Sequence, residues 1–169
     1  MKKILLIAIS LIIVFLSGCT EKSINNEISN DNEKVAEEFI KLKGYKIIEF
    51  KGKLEEYILE KSKLIGGTES MPYRQIWAVQ EVEPELYIGK EIETYEFTVK
   101  NHPLEKTDKN YSNGVRLYIM LSDNKVIGGY SYPNLDVVGS FSSLEGKTLE
   151  EVTGLTFKEW QEEWENKYK

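Results

Sequence analysis

The sequence predicts an α+β domain: an antiparallel sheet with an N-terminal helix and C-terminal helices. Three observations carry this prediction. Apolar residues recur at helical spacing near residue 35 and again beyond residue 148, the chain between them alternates with the period of strands, and two of those strands are joined by a tight turn instead of a crossover helix. No strand–helix–strand alternation and no internal repeat is present. The nearest picture is cystatin-like, one helix against a curved antiparallel sheet.

The first helix is expected to start near Asp31–Glu33 and to stop at Gly44, with Val35, Ala36, Phe39, Ile40 and Leu42 on its apolar face. Tyr45 to Phe50 follows as a strand centred on Ile47 and Ile48. Leu54 to Leu59 fits both periods and is assigned as strand. Gly66-Gly67-Thr68 is a loop, and Ser70-Met71-Pro72 opens a short helix carrying Ile76, Trp77, Val79 and Val82, which Pro84 stops. Ile92 to Lys100 alternates, with Tyr95, Phe97 and Val99 on one face and Glu96 and Thr98 on the other, the pattern of a half-buried strand. After His102-Pro103 and a charged loop from Leu104 to Asn113, Val115 to Leu121 is apolar on both faces and predicts a central strand. Ser122-Asp123-Asn124-Lys125 turns it into a hairpin with Val126 to Tyr132. Pro133 to Ser143 is irregular. Thr148-x-x-Glu151 and Thr156-x-x-Glu159, separated by Gly154, are two capping boxes, in which hydroxyl and carboxylate each take a free backbone N–H, and they start two final helices.

The first nineteen residues have a different character. Lys2 and Lys3 precede an apolar run from Ile4 to Leu16, about 13 residues or ~20 Å as a helix, shorter than the about 20 residues a spanning segment needs. Leu16-Ser17-Gly18-Cys19 closes it. A positive start, a short apolar run and small residues before a cut describe a secretory signal, and Leu-Ser-Gly-Cys resembles the lipobox of bacterial lipoproteins. That resemblance implies removal of residues 1–18 and a diacylglyceryl group on the Cys19 thiol, holding the protein to the outer face of the cell membrane. Cys19 is the sole cysteine, so no internal disulfide can form. Residues 19–32, polar and rich in Asn and Ser, are expected to be a flexible tether, and residues 33–169 a single domain.

Composition narrows the function classes. Loss of Lys2 and Lys3 moves the formal charge from −6 to −8, which suits neither nucleic acid nor attraction to an anionic membrane surface. Three Trp, ten Tyr and six Phe supply aromatic mass for a core, so wholesale disorder is excluded.

Several pieces in order, Phe39-Ile40-Lys41-Leu42-Lys43-Gly44-Tyr45, Tyr87-Ile88-Gly89-Lys90, Tyr95-Glu96-Phe97-Thr98-Val99, Asn101-His102-Pro103 and Val126-Ile127-Gly128-Gly129, resemble a family of small Gram-positive lipoproteins carrying a domain of unknown function. The resemblance covers roughly residues 35–132. It departs from the family after Gly129, where an aspartate is common and Tyr130 stands here. It implies no activity and assigns no functional residue.

Chemistry-bearing residues are few. His102 is the only histidine, so neither a Ser-His-Asp triad nor a multi-histidine metal site can be assembled without it; its place before Pro103 at a strand end marks a surface loop residue. Glu81, Glu83 and Glu85 cluster around Pro84 without the spacing of a calcium loop and are assigned to solvated surface. Asp108, Asp123 and Asp136 sit in separate loops. Gly128-Gly129 lacks phosphate-loop spacing and marks a bulge or a close backbone approach. No metal or cofactor is expected. Phe157, Trp160, Trp164 and Tyr168, spaced 3, 4 and 4, form one aromatic stripe on the last helix. It is the face that packs on the sheet, an exposed recognition surface for a protein or wall polymer, or a lipid-interface segment, which the carboxylates of Glu159, Glu162, Glu163 and Glu165 suit poorly; burial distinguishes the first from the others.

These features lead to a lipid-anchored, non-catalytic module that binds a protein or envelope component. Two alternatives stand beside it: a small-ligand carrier whose concavity is lined by Tyr95, Phe97, Tyr118, Tyr130 and Tyr132, and a carboxylate-dependent hydrolase for which no residue pair is selected.

Overall fold

The computed structural model describes residues 31–107, 109–135 and 139–169; the signal segment, Cys19 and most of the tether lie outside them. The first helix, α1 (Asp31–Leu42), carries Asp31 and Glu33 in its first turn and Lys41 in its last, each matched to the helix dipole. Gly44, at φ +83°, takes the left-handed conformation that ends it, and Tyr45 N–H reaches back to the Ile40 carbonyl. Asp31 and Asn32, assigned in part to the tether, belong to the helix, and Asn32 is buried.

The sheet is a five-stranded antiparallel meander with strands in chain order: β1 (Lys46–Ile58), β2 (Glu91–Lys100), β3 (Val115–Ser122), β4 (Lys125–Pro133) and the two-residue β5 (Ser142–Ser143). The α+β class is as expected from the sequence. The two segments placed at Tyr45–Phe50 and Leu54–Leu59 are one long edge strand. Three register shifts against β2 between Ile47 and Glu55, with Gly52 at φ +99°, break its alternation and divide one strand into two sequence patterns. The β3–β4 hairpin turns on Asp123 and Asn124, both at positive φ, as a two-residue primed turn requires.

Helices cover both faces of the sheet. On one face Ala36 and Ile40 of α1 pack on Tyr95, Phe97, Val99, Leu117, Ile119 and Leu121. On the other, Ile92, Tyr118, Met120 and Tyr130 lie beneath Trp77 of α3 (Met71–Ala78) and Trp160, Trp164 and Tyr168 of α5 (Phe157–Tyr168), with Leu64 of the short α2 (Lys61–Leu64) at their margin. Strand β2 was expected to be half-buried; instead Thr94 and Thr98 on its second face are as buried as Phe97 on its first. The one-helix picture therefore describes the α1 face alone. Helix α3 ends at Ala78, before the expected stop at Pro84, which opens a 3₁₀ turn from Pro84 to Tyr87. Helix α4 (Leu149–Thr153) and α5 begin at Thr148 and Thr156, both in complete capping boxes, and Gly154 at φ +74° separates them.

Candidate functional site

The C-terminal stripe faces inward. Trp160, Trp164 and Tyr168 are 3%, 8% and 3% exposed, whereas Phe157, at the first helical position, is 47% exposed. Trp164 Nε1 donates to the Leu64 carbonyl at 2.6 Å, which ties α5 to the end of α2. The recognition-surface reading of Trp160, Trp164 and Tyr168 is thereby corrected: these rings fill the second core, and only Phe157 is offered to solvent.

His102 also departs from expectation. It is 1% exposed, not a surface residue. Its Nδ1 accepts from Leu104 N–H at 3.2 Å, so the proton sits on Nε2, which donates to the Leu144 carbonyl at 2.8 Å. Glu105 accepts the His102 backbone N–H at 3.1 Å. His102 thus serves as N-cap of the turn Pro103–Lys106, with Glu105 completing a capping box. The signal was present as cap-Pro-x-Glu, with a histidine where a hydroxyl usually stands. Burial holds its pKa below the ordinary imidazole value; the Leu144 carbonyl and the Glu105 and Glu145 charges oppose that shift.

Glu81, Glu83 and Glu85 are all exposed, as expected; Glu83 and Glu85 lie 2.6 and 3.0 Å from Lys167 near the end of α5. Asp123 pairs with Lys90 at 3.1 Å; Asp108 and Asp136 lie outside the described residues. Among the described residues no group of three His, Cys, Asp or Glu side chains is placed to hold a metal ion.

The aromatic set proposed as a carrier lining is divided by the sheet. Tyr95 and Phe97 point to the α1 side, whereas Tyr118 and Tyr130, stacked with centroids 4.5 Å apart, point to the α3–α5 side. Alternation along a strand forces this split, so the five residues cannot line one concavity.

The geometry that remains converges on Gly128-Gly129, where the expected close backbone approach is found. A Cβ on Gly129 would collide with the Tyr118 carbonyl and with Leu144, and one on Gly128 would collide with the Gln80 amide. The register shift between Met120 and Leu121 leaves Ile127 as a bulge beside them. Gln80, just past the end of α3, is buried; its Nε2 donates to the Ile76 carbonyl at 2.6 Å and its Oε1 accepts from Gly129 N–H at 2.8 Å. Strand β5 pairs only with Tyr130 and Ser131, so among the described residues the β4 edge from Lys125 to Gly128 has no strand beside it. Val126–Gly129 form the base of a slot of about 210 Å³, walled by Phe39 and Lys43 of α1 on one side and by Val79–Val82 on the other. Lys43 closes one end through a 2.7 Å pair with Glu145, whose hydrogen bond raises the lysine pKa. A second cleft, of about 360 Å³, runs from Gln80 and Glu81 to Lys147 and Glu151. The slot offers open strand backbone, an apolar lining and charged ends, and no nucleophile is placed in it. Gln80, at its centre, was not among the residues singled out in the sequence, because a lone glutamine carries no pattern. Comparison with protein-family models, with curated proteins and with solved structures returns no match.

Proposed function

We propose that this protein is a lipid-anchored extracytoplasmic module that binds a protein or envelope component without transforming it. Anchoring rests on the apolar run to Leu16 and on Leu16-Ser17-Gly18-Cys19, whose sole thiol is the lipid acceptor. Two acyl chains hold a protein stably where one is marginal. Binding rests on one observation, the slot along the stretch of β4 that has no strand beside it among the described residues. An extended segment lying there gains main-chain hydrogen bonds from the Val126–Gly128 edge and apolar contact from Phe39, Val79 and Val82. His102, which any triad in this chain requires, has both ring nitrogens engaged with backbone, and this supports binding over turnover.

The test is site-specific photocross-linking on intact cells. A photoreactive residue at Val82 or Ile127 in the full chain is expected to yield a discrete adduct that the same residue at Asn113, far from the slot, does not. Equal adducts from all three positions, or none from the slot, would refute a binding role for this edge.

A further inference from the structure

Helix α1 begins at one end of the sheet, and side-chain contacts identify which. Asn32, in the first turn of α1, donates through Nδ2 to Glu93 Oε1 at 2.6 Å. Glu93 also takes the Tyr95 hydroxyl at 2.6 Å and Lys53 at 3.0 Å. The start of α1 is therefore pinned over the first residues of β2. Two pairs further out, Ile58 stands opposite Glu91, on the same side of the sheet as Glu93. Leu59 N–H donates to the Lys90 carbonyl and Gly89 N–H to the Leu59 carbonyl, at 2.9 and 2.8 Å. These bonds bring Ile88 and the Pro84–Tyr87 turn to the same end. Three large apolar side chains there are open to solvent: Leu86 at 66%, Ile58 at 46% and Ile88 at 42%.

We infer that this end of the domain, through Ile58, Leu86 and Ile88, rests on the interfacial layer of the membrane that holds the anchor. The inference builds on the lipid-anchor reading of Cys19. Eleven residues separate Cys19 from Asp31; fully extended they reach at most ~40 Å, and an unstructured chain of that length averages about 18 Å. Strand β2 has ten residues, a length of about 33 Å. With the opposite end turned to the bilayer, the start of α1 would stand roughly that far from the surface, a distance only a nearly straight tether spans. With this end turned down, a tether well short of full extension suffices. A net negative domain gains no attraction from an anionic leaflet, so contact at this end comes from apolar side chains entering the headgroup boundary.

Because Cys19 is the only cysteine and is acylated, one introduced cysteine gives a unique thiol for labelling. Ile58→Cys, Ile88→Cys and Asn113→Cys, the last at the opposite end, are made in the full chain, labelled with an environment-sensitive fluorophore and reconstituted in phosphatidylcholine vesicles containing a spin-labelled lipid quencher. Quenching is expected to be several-fold stronger at positions 58 and 88 than at 113. In a fourth protein, Ile88→Cys with Ile58→Ser and Leu86→Ser, the difference should shrink. The mass of the N-terminal peptide is read on the same samples. Lipidated protein with equal quenching at all positions, or stronger quenching at 113, overturns the orientation and leaves the anchor standing. Unmodified Cys19 overturns both.

Discussion

The amide oxygen of Gln80 accepts the backbone N–H of Gly129 at 2.8 Å, and this bond joins the exit of α3 to the edge of the sheet. It satisfies a buried donor that β5 does not reach, and it places Val79–Val82 as a wall of the slot. Gln80→Ala leaves that donor unpaired and is expected to cost about 1–3 kcal/mol. Gly129→Ala should cost a similar about 1–3 kcal/mol through the collision with the Tyr118 carbonyl. Urea unfolding monitored by tryptophan fluorescence measures both, and stability unchanged in both variants would contradict the assigned contact.

His102 sets a pH window. Its folded pKa is depressed below the unfolded value of 6.5 by burial. The unfolded chain therefore binds a proton first as pH falls, and the stability present above about 6.5 is lost as pH falls through 6.5 toward the folded value. Glu93, whose burial cost is outweighed by Tyr95, Lys53 and Asn32, has a lowered pKa, so its contribution disappears only below the ordinary carboxylate value of 4.5. His102 is the single histidine of the chain and contributes the fall between pH 7.5 and 5.5, while Glu55, whose carboxyl burial pushes above the ordinary carboxylate value, contributes with the opposite sign at the acid end. The difference in denaturant midpoint between the native chain and His102→Gln should shift against the native chain as pH falls across that range; a difference that does not change with pH would refute the burial argument.

The aromatic stripe gives a graded series. Trp160→Ala and Trp164→Ala each empty a large core volume and should cost about 3–5 kcal/mol. Phe157→Ala, with its ring half exposed, should cost under about 1 kcal/mol. Equal losses at all three positions would show that the stripe packs differently.

The divide between what the sequence revealed and what it concealed follows from the range of the forces involved. Local chemistry was legible: both capping boxes, the Gly44 stop, the Asp123-Asn124 turn and the two-faced apolarity of β3 involve residues close in sequence. What covers a surface was not. Thr98 read as part of a solvent face, yet it is buried, because its cover comes from segments that its own strand pattern does not encode. The register shifts of β1 hid one strand inside two patterns. His102 looked exposed because its partner Leu144 lies forty-two residues away. The slot depends on where β5 stops pairing, which no local pattern encodes.

Placement at the slot also predicts a charge effect. Lys43→Ala breaks the 2.7 Å pair with Glu145, both partners being about a third exposed, and should change stability by less than about 1 kcal/mol. It should nonetheless lower the photocross-linking yield from Ile127, since Lys43 closes the slot. An unchanged yield would show that this end takes no part in binding.

The most direct measurement is the mass of the N-terminal peptide of the protein purified from membranes of cells that make it. The lipid-anchor reading predicts a chain beginning at Cys19 and carrying a diacylglyceryl group, with Cys19→Ala retaining residues 1–18. A chain that keeps Met1, or that begins elsewhere with Cys19 absent or unmodified, would contradict it.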